Sequence, residues 1–392
     1  MSPDERAAIR AELAEAVRGL LAKHADVRAA MAAPRGYEEE VWSLLCRQVG
    51  VAGLAVPERY GGAGASVAEV GAVAHELGRA LTPTPLLGSA VLAAGVIIRA
   101  GGEDACARLL PDIAAGARVA ALVWSGVDGD WSCAPPMRDR GGTLDGAASY
   151  VLDGDTADVL VVLATDGDSD SDDNSDSDDD SDDASGGVGV YEVDARHDGV
   201  ERADAGALDP TRRLATVRMR GVPGRRLGTL TPQALRRLRA DALAVLAAEQ
   251  TGAAERALER TVEYALQRHQ FGRPIGGFQA VGHRLADAYV RLETARSACH
   301  AALESASGPD DEAACIDAAV AKVVCSESST HIAAEMIQLH GGIAITWEHD
   351  AHLYFKRAHG SAALFGPPQR YIDALTAYRL GDGVDEWCVS GG

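Results

Sequence analysis

The apolar period of this chain changes twice, and that double change constrains the fold more than any single motif. Residues 4–23 place Ile9, Leu13, Val17 and Leu20 at helical spacing, and the same period returns over 37–48, 67–79 and 86–100. A glycine-rich turn at 50–64 and the breakers Pro83 and Pro85 punctuate these runs. From about residue 118 the pattern shortens. The segments 118–123, 149–152, 159–164, 188–193 and 214–220 are rich in Val and bounded by Gly, Asp or Pro, which is the pattern of strands. Helical spacing resumes over 233–268, 278–305, 310–340, 349–358 and 369–379. The expectation is an α+β protein in three parts: an all-helical domain 1–117, a small β domain 118–230 and a helical domain 231–392.

Charge follows the same division. The net charge is −21, but residues 166–183 hold eleven Asp and no Lys or Arg, so the remainder carries −10. The Ser/Asp-rich stretch 166–187 lies between two expected strands. It cannot bury enough apolar surface to offset the entropy of ordering, and is expected to be a disordered, solvated insert. Alternating Asp could offer oxygen ligands to calcium, but the fixed Gly and terminal Glu of an EF-hand loop are absent, so no metal site is expected. An acidic chain without clustered Lys or Arg is a poor partner for nucleic acid or an anionic membrane. No apolar run is long enough to span a bilayer, and the charged, amphipathic start lacks a signal core, so a cytoplasmic location is expected. Seven Cys at irregular spacing, with no CxxC, read as free thiols.

Three segments, in this order and spacing, carry a resemblance: GVAGLAVPERYGGAG (50–64), YALQRHQFGRPIGGFQ (264–279) and QLHGGIAITWEHDAHLYFKRA (338–358). Together with the helix–β–helix order they resemble the acyl-CoA dehydrogenase family. That resemblance implies a middle domain that is β-barrel-like and a C-terminal four-helix bundle. It also implies FAD, an acyl-CoA thioester as substrate, α,β-dehydrogenation, and electrons leaving to an electron-transfer flavoprotein. Arg268, Phe271 and Gln279 match residues that touch the FAD of a neighbouring subunit. Gln338, Gly341 and Gly342 match the family's QxxGG, where backbone approaches the adenosine diphosphate. Gln369 matches a glutamine near the flavin. Several have a plainer reading beside this one: a helix-end cation for Arg268, core packing for Phe271, a helix stop for Gly341. His340 reads as a helix-capping histidine.

Two departures cut across the resemblance. The family's base is a Glu about 24 residues past the first Gly of QxxGG; here that position is Phe365. A branch resembling isovaleryl-CoA dehydrogenase carries its base early in the long helix, and that position is Ala242. Asp241 is rotated about 100° from the needed face. Glu249 returns to that face two turns on, within LAVLAAEQTGAA, and is the candidate base; a structural Glu at a subunit interface is the alternative. The loop and strand that should cover the flavin ring are replaced by ALVWSGVDGDWSCAPP (121–136), followed by YVLDGDTADVLVV. The form TWEHDAHLYFKRA resembles subunits of heteromeric actinobacterial acyl-CoA dehydrogenases, including those acting on steroid side chains. The chain is therefore expected to act as a dehydrogenase, complete or as one subunit of a homo- or hetero-oligomer (dimer or tetramer). The alternative is a non-catalytic partner that completes another subunit's FAD site. Other flavin chemistry, such as monooxygenation, is a further reading.

Overall fold

The structure is a computed structural model and describes residues 3–126, 129, 131, 135–166 and 187–381. Most of the acidic insert expected at 166–187, and part of the 121–136 loop, lie outside the described residues.

Helices α1 (Pro3–His24), α2 (Val27–Ala32), α3 (Glu39–Val49), α4 (Val67–Arg79), α5 (Ala94–Ala100) and α6 (Glu103–Ala114) form the first part. The chemistry at their ends explains where they begin. Ser66 and Glu69 form a reciprocal capping box at the start of α4, and Asp26 accepts from Arg28 N and Ala29 N at the start of α2. Residues 86–100, read as one helix, begin instead as a π-helical run, Leu86–Ala93, before α5. A strand end packs tightly against this run: a Cβ on Gly88 would stand 2.6 Å from Asp153 Oδ2.

The middle part is a sheet of β1 (Ala120–Val123), β2 (Met137–Asp139), β3 (Thr143–Leu152), β4 (Val159–Asp166), β5 (Val188–Asp194), β6 (Val200–Asp204), β7 (Leu214–Pro223) and β8 (Arg225–Leu230). Its path runs β6-β7-β3-β2-β4-β5-β8, and β1 and β2 share one edge of β4, each parallel to it. The sheet is barrel-like in holding a core of its own, built from residues such as Leu144, Val162, Tyr191, Val217 and Met219. Alternate residues of β1, β4 and β5 (Leu122, Val161, Val190) belong to the larger core shared with the helices.

The last part holds α7 (Pro232–Gln267), α8 (Gln279–Ser307), α9 (Asp311–His340), α10 (Ala351–Ala363) and α11 (Pro368–Leu380). Thr231 caps α7 with Pro232 in its first turn, and Asp310 caps α9. Helices α4 and α7 approach backbone to backbone. A Cβ on Gly78 would meet Glu249 O at 2.0 Å, and one on Gly252 would meet His75 O at 2.0 Å. That crossing fixes Glu249 against the first part of the chain.

Cys46, Cys106, Cys299, Cys315 and Cys325 are buried and free; the other two lie outside the described residues. Among the described residues, no helix is long and apolar enough to cross a membrane.

Candidate functional site

Helix α10 ends in a turn whose carbonyls are held from beneath. Lys322, buried on α9, donates from Nζ to Ser361 O (2.8 Å), Ala362 O (2.9 Å) and Leu364 O (2.7 Å). Burial pushes the lysine pKa down. Three acceptors nonetheless engage three N–H bonds, and only the ammonium form has three. Above this anchor Phe365 sits at φ +63°, and its carbonyl accepts from Tyr371 Oη at 2.6 Å. The phenyl ring is 2% exposed and meets the Trp131 ring edge-on at 4.7 Å; Trp131 in turn meets Trp124 edge-on at 5.4 Å. Arg239 lies over Trp124 at 5.5 Å. Position 365 and the altered 121–136 loop, separate departures in the sequence, therefore meet in one aromatic stack.

Beside the stack a cleft of about 590 Å³ opens between the sheet and the α10–α11 turn. Tyr150, Leu208, His359 and Arg370 line it. Gln369 stands at the first turn of α11, with Nε2 bonded to Asp373 Oδ1 at 2.8 Å.

Glu249 sits in an ion-pair hub. Its Oε1 accepts from Arg212 Nη2 and, at 3.0 Å, from Arg357 Nη1. Arg357 also donates to Thr211 Oγ1 (2.9 Å) and Thr211 O (2.8 Å) and pairs with Asp209 at 3.2 Å. The hub ties α7 and α10 to the loop before β7. The apolar sequence around Glu249 gave no sign of it, because both arginines come from other segments. Ala242 is fully buried, and Asp241 pairs with Arg99 and Arg237.

The other family-matched residues gather on an outward face. Tyr264, near the end of α7, stacks on His340 at the end of α9 (4.3 Å between rings) and donates to its carbonyl at 3.3 Å. His340 Nδ1 lies 2.8 Å from Met336 O, one turn back, as a helix-end histidine does. This contact sets the 268–279 hairpin and turn beside the Gln338–Gly342 segment. Arg268 follows the last residue of α7, exposed and without an ion pair among the described residues. Phe271 is 92% exposed at φ +52°, and its aromatic contact is an edge-on one with Phe278, so it is not core. Gln279 and Gln338 are exposed. Gly341 has φ +66° and ψ −141°, a conformation for glycine, and a Cβ on either Gly341 or Gly342 would meet nothing within 4 Å. Leu266, Ile343, Ile345 and Trp347 are exposed on the same elements.

These two regions fit a flavin nucleotide differently. The outward face offers an exposed guanidinium and uncovered glycine backbone, which suit a diphosphate reaching in from outside. The interior offers no carboxylate at 365, where the stack fills the space. Lys322, Trp131 and the Arg212–Arg357 pair were missed from sequence. A lone Lys in an Ala-rich helix was the available signal for the first. Among the described residues, no group of three or more His, Cys, Asp or Glu is placed to hold a metal ion.

Residues 3–117 match the family model for the acyl-CoA dehydrogenase N-terminal domain, and residues 233–383 that for the C-terminal domain. The chain is 42% identical over 380 residues to "Acyl-CoA dehydrogenase IpdE2" of Mycobacterium tuberculosis, covering 95% of this chain and 96% of that one. Its fold is similar to a variant of the Tcur3481-Tcur3483 steroid ACAD (TM-score 0.82, 29% identity, 95% and 97% of the two chains). It is equally similar to the ChsE4-ChsE5 complex of Mycobacterium tuberculosis (TM-score 0.82, 26% identity, 95% and 97%).

Proposed function

This chain belongs to the acyl-CoA dehydrogenase family, and we propose that it works there as one subunit of a heteromeric, FAD-dependent dehydrogenase, completing the cofactor site of an unlike partner. The observation that carries this reading is Phe365, a buried ring in an aromatic stack where the family's base is expected. The heteromeric names of two structural relatives, one called a steroid ACAD, support it and suggest a steroid-derived acyl-CoA as substrate.

When bound, FAD supplies the acceptor for the hydride leaving the β-carbon, and an electron-transfer flavoprotein drains it. This chain's own contribution is positioning. Arg268 would fork onto the diphosphate, Gln279 and Gln338 would donate to it, Gly341 and Gly342 would leave room for it, and Phe271 would cover its edge. The partner would supply the base that takes the α-proton. Glu249, held by two guanidiniums, serves here as the tie between α7, α10 and the sheet.

Purifying the chain alone and with its partner, then recording bound flavin and dehydrogenation of acyl-CoA in both, tests this. Flavin and turnover are expected in the complex, with neither in the lone chain. Full loading and turnover by the lone chain would overturn the proposal. In that event Glu249→Gln, assayed with flavin still bound, decides whether Glu249 is the base.

A further inference from the structure

The middle of α8 carries a surface that neither the core nor the cofactor-facing hairpin uses. Its inner face is packed, with Ala288, Leu292 and Ala295 buried. Its outer face leaves Tyr289 55% and Val290 63% exposed. Single exposed apolar side chains are common on soluble proteins, so the charges beside these two decide what the surface means. At 100° per residue, Val290 marks the centre of the outer face, with exposed Ala286 and Thr294 one turn to either side. Tyr289 lies on one flank. Asp287 and Arg291, four residues apart, lie together on the other. Both are exposed, and neither has an ion pair among the described residues. Other charges of the helix are already matched, Arg284 by Glu335 and Arg296 by Glu255 and Glu293.

This order is self-complementary. When a two-fold axis relates two antiparallel copies of a helix, each flank meets the same flank of the copy, and residues equally far above and below the axis meet. With the axis level with Tyr289, Asp287 of each copy faces Arg291 of the other, twice over. Tyr289 faces its own copy on the opposite flank, and Val290 packs on Val290 between them. Ala286 and Thr294 are short enough to let the helices approach closely.

We propose that the outer face of α8 is an isologous contact with a second copy of this chain, the two helices running antiparallel and centred on Tyr289. A cation and an anion set at equal distances about an exposed apolar centre fit their own copy with no other sequence to match, which selects a second copy over an unlike subunit. The inference goes beyond the reading above. The unlike subunit takes the hairpin and glycine face, and α8 joins two such pairs into an assembly of four chains. A single helix crossing buries less than the roughly 1,200 Å² of a standard interface, so the lone chain should pair with a dissociation constant on the order of 10 μM.

Sedimentation equilibrium of the full chain, from about 1 to about 200 μM, tests this, with a reversible monomer–dimer equilibrium expected. Asp287→Lys and Arg291→Glu each set like charges against one another at both ends of the contact, and each should weaken the dimer about tenfold. The double variant Asp287→Lys/Arg291→Glu exchanges the signs and should restore it, which a misfolded chain could not do. Val290→Glu brings two carboxylates together at the centre. In the complex with the unlike subunit it should halve the mass while flavin stays bound. A lone chain that is monomeric at every concentration, or a double variant no stronger than the single ones, would overturn the proposal. So would loss of flavin from the Val290→Glu complex, which would put the unlike subunit on α8. The two readings fail separately. A self-paired chain that loads flavin and turns over without a partner would overturn the reading above and leave this one standing. A flavin-loaded complex whose mass ignores Val290→Glu would overturn this one alone.

Discussion

Lys322 and Glu249 hold opposite charges in the interior, and each is matched by groups from other segments. Lys322 satisfies three main-chain carbonyls at the end of α10, which have no helical donors of their own. Replacing it with Met keeps the volume and removes every donor, so Lys322→Met should lose about 2–4 kcal/mol of unfolding free energy in urea. It should also loosen the Phe365 turn, visible as altered near-ultraviolet dichroism from the Trp131 contact. An unchanged urea midpoint would refute the anchoring role. Glu249→Gln leaves Arg212 and Arg357 without their shared carboxylate. Removing one member of a buried ion-pair cluster costs about 3–5 kcal/mol, and equilibrium unfolding should register it. A catalytic carboxylate with no structural duty would instead leave the unfolding curve in place.

Between helices, charge is organised around His75. It bridges Glu76 (3.2 Å) and Glu255 (3.3 Å), joining α4 to α7, while Arg18, Arg79 and Arg296 bring in α1, α4 and α8. Burial alone would lower the His75 pKa, but its bonds to Glu255 and Glu76 prevail and raise it above the ordinary 6.5. Burial would likewise raise both carboxyl groups, yet Arg18 and His75 hold Glu76 at about 2, and His75 and Arg296 hold Glu255 at about 2, against 4.5. The raised histidine adds stability that is complete below 6.5 and is lost as pH rises through its folded value. The depressed carboxylates add stability that is complete above 4.5 and is lost as pH falls toward 2. This network therefore favours the fold most between pH 4.5 and 6.5. Denaturation midpoints measured across pH should fall on the alkaline side of that window, and His75→Gln should flatten that limb; an unaltered alkaline limb would contradict the assignment. The same scale shows what the sequence could express. The bounds of α4, α7 and α9 were legible to within about two residues because capping residues and apolar period agree there. Strands β2, β6 and β8 were not: Val200–Asp204 and Arg225–Leu230 are largely polar and half-exposed, and pairing with β7 and β5 makes them strands. At the site, Phe365 could be read directly but its surroundings could not, because Trp131 reaches it from another part of the chain.

At the scale of the whole molecule, the outward face remains unmatched within the chain. Leu266, Phe271, Ile345 and Trp347 are between 62% and 92% exposed, on elements held side by side by the Tyr264–His340 stack. Soluble monomers rarely leave such a grouping open, and in the proposed heteromer the unlike subunit covers it. Two substitutions separate assembly from cofactor positioning. Leu266→Asp puts a charge on this face at an exposed residue with no part in the cofactor site, so the lone chain should unfold at its usual temperature. With the partner present, the complex should dissociate, and light scattering should report separate subunits. Arg268→Gln removes a cation that has no ion pair among the described residues. The complex should keep its mass but lose bound flavin, because a guanidinium on a diphosphate is worth about 1.5–3 kcal/mol, or roughly ten- to a hundredfold in affinity. Flavin retained in full by the Arg268→Gln complex would remove this residue from the cofactor site. A complex that survives Leu266→Asp would show that the partner sits on another face.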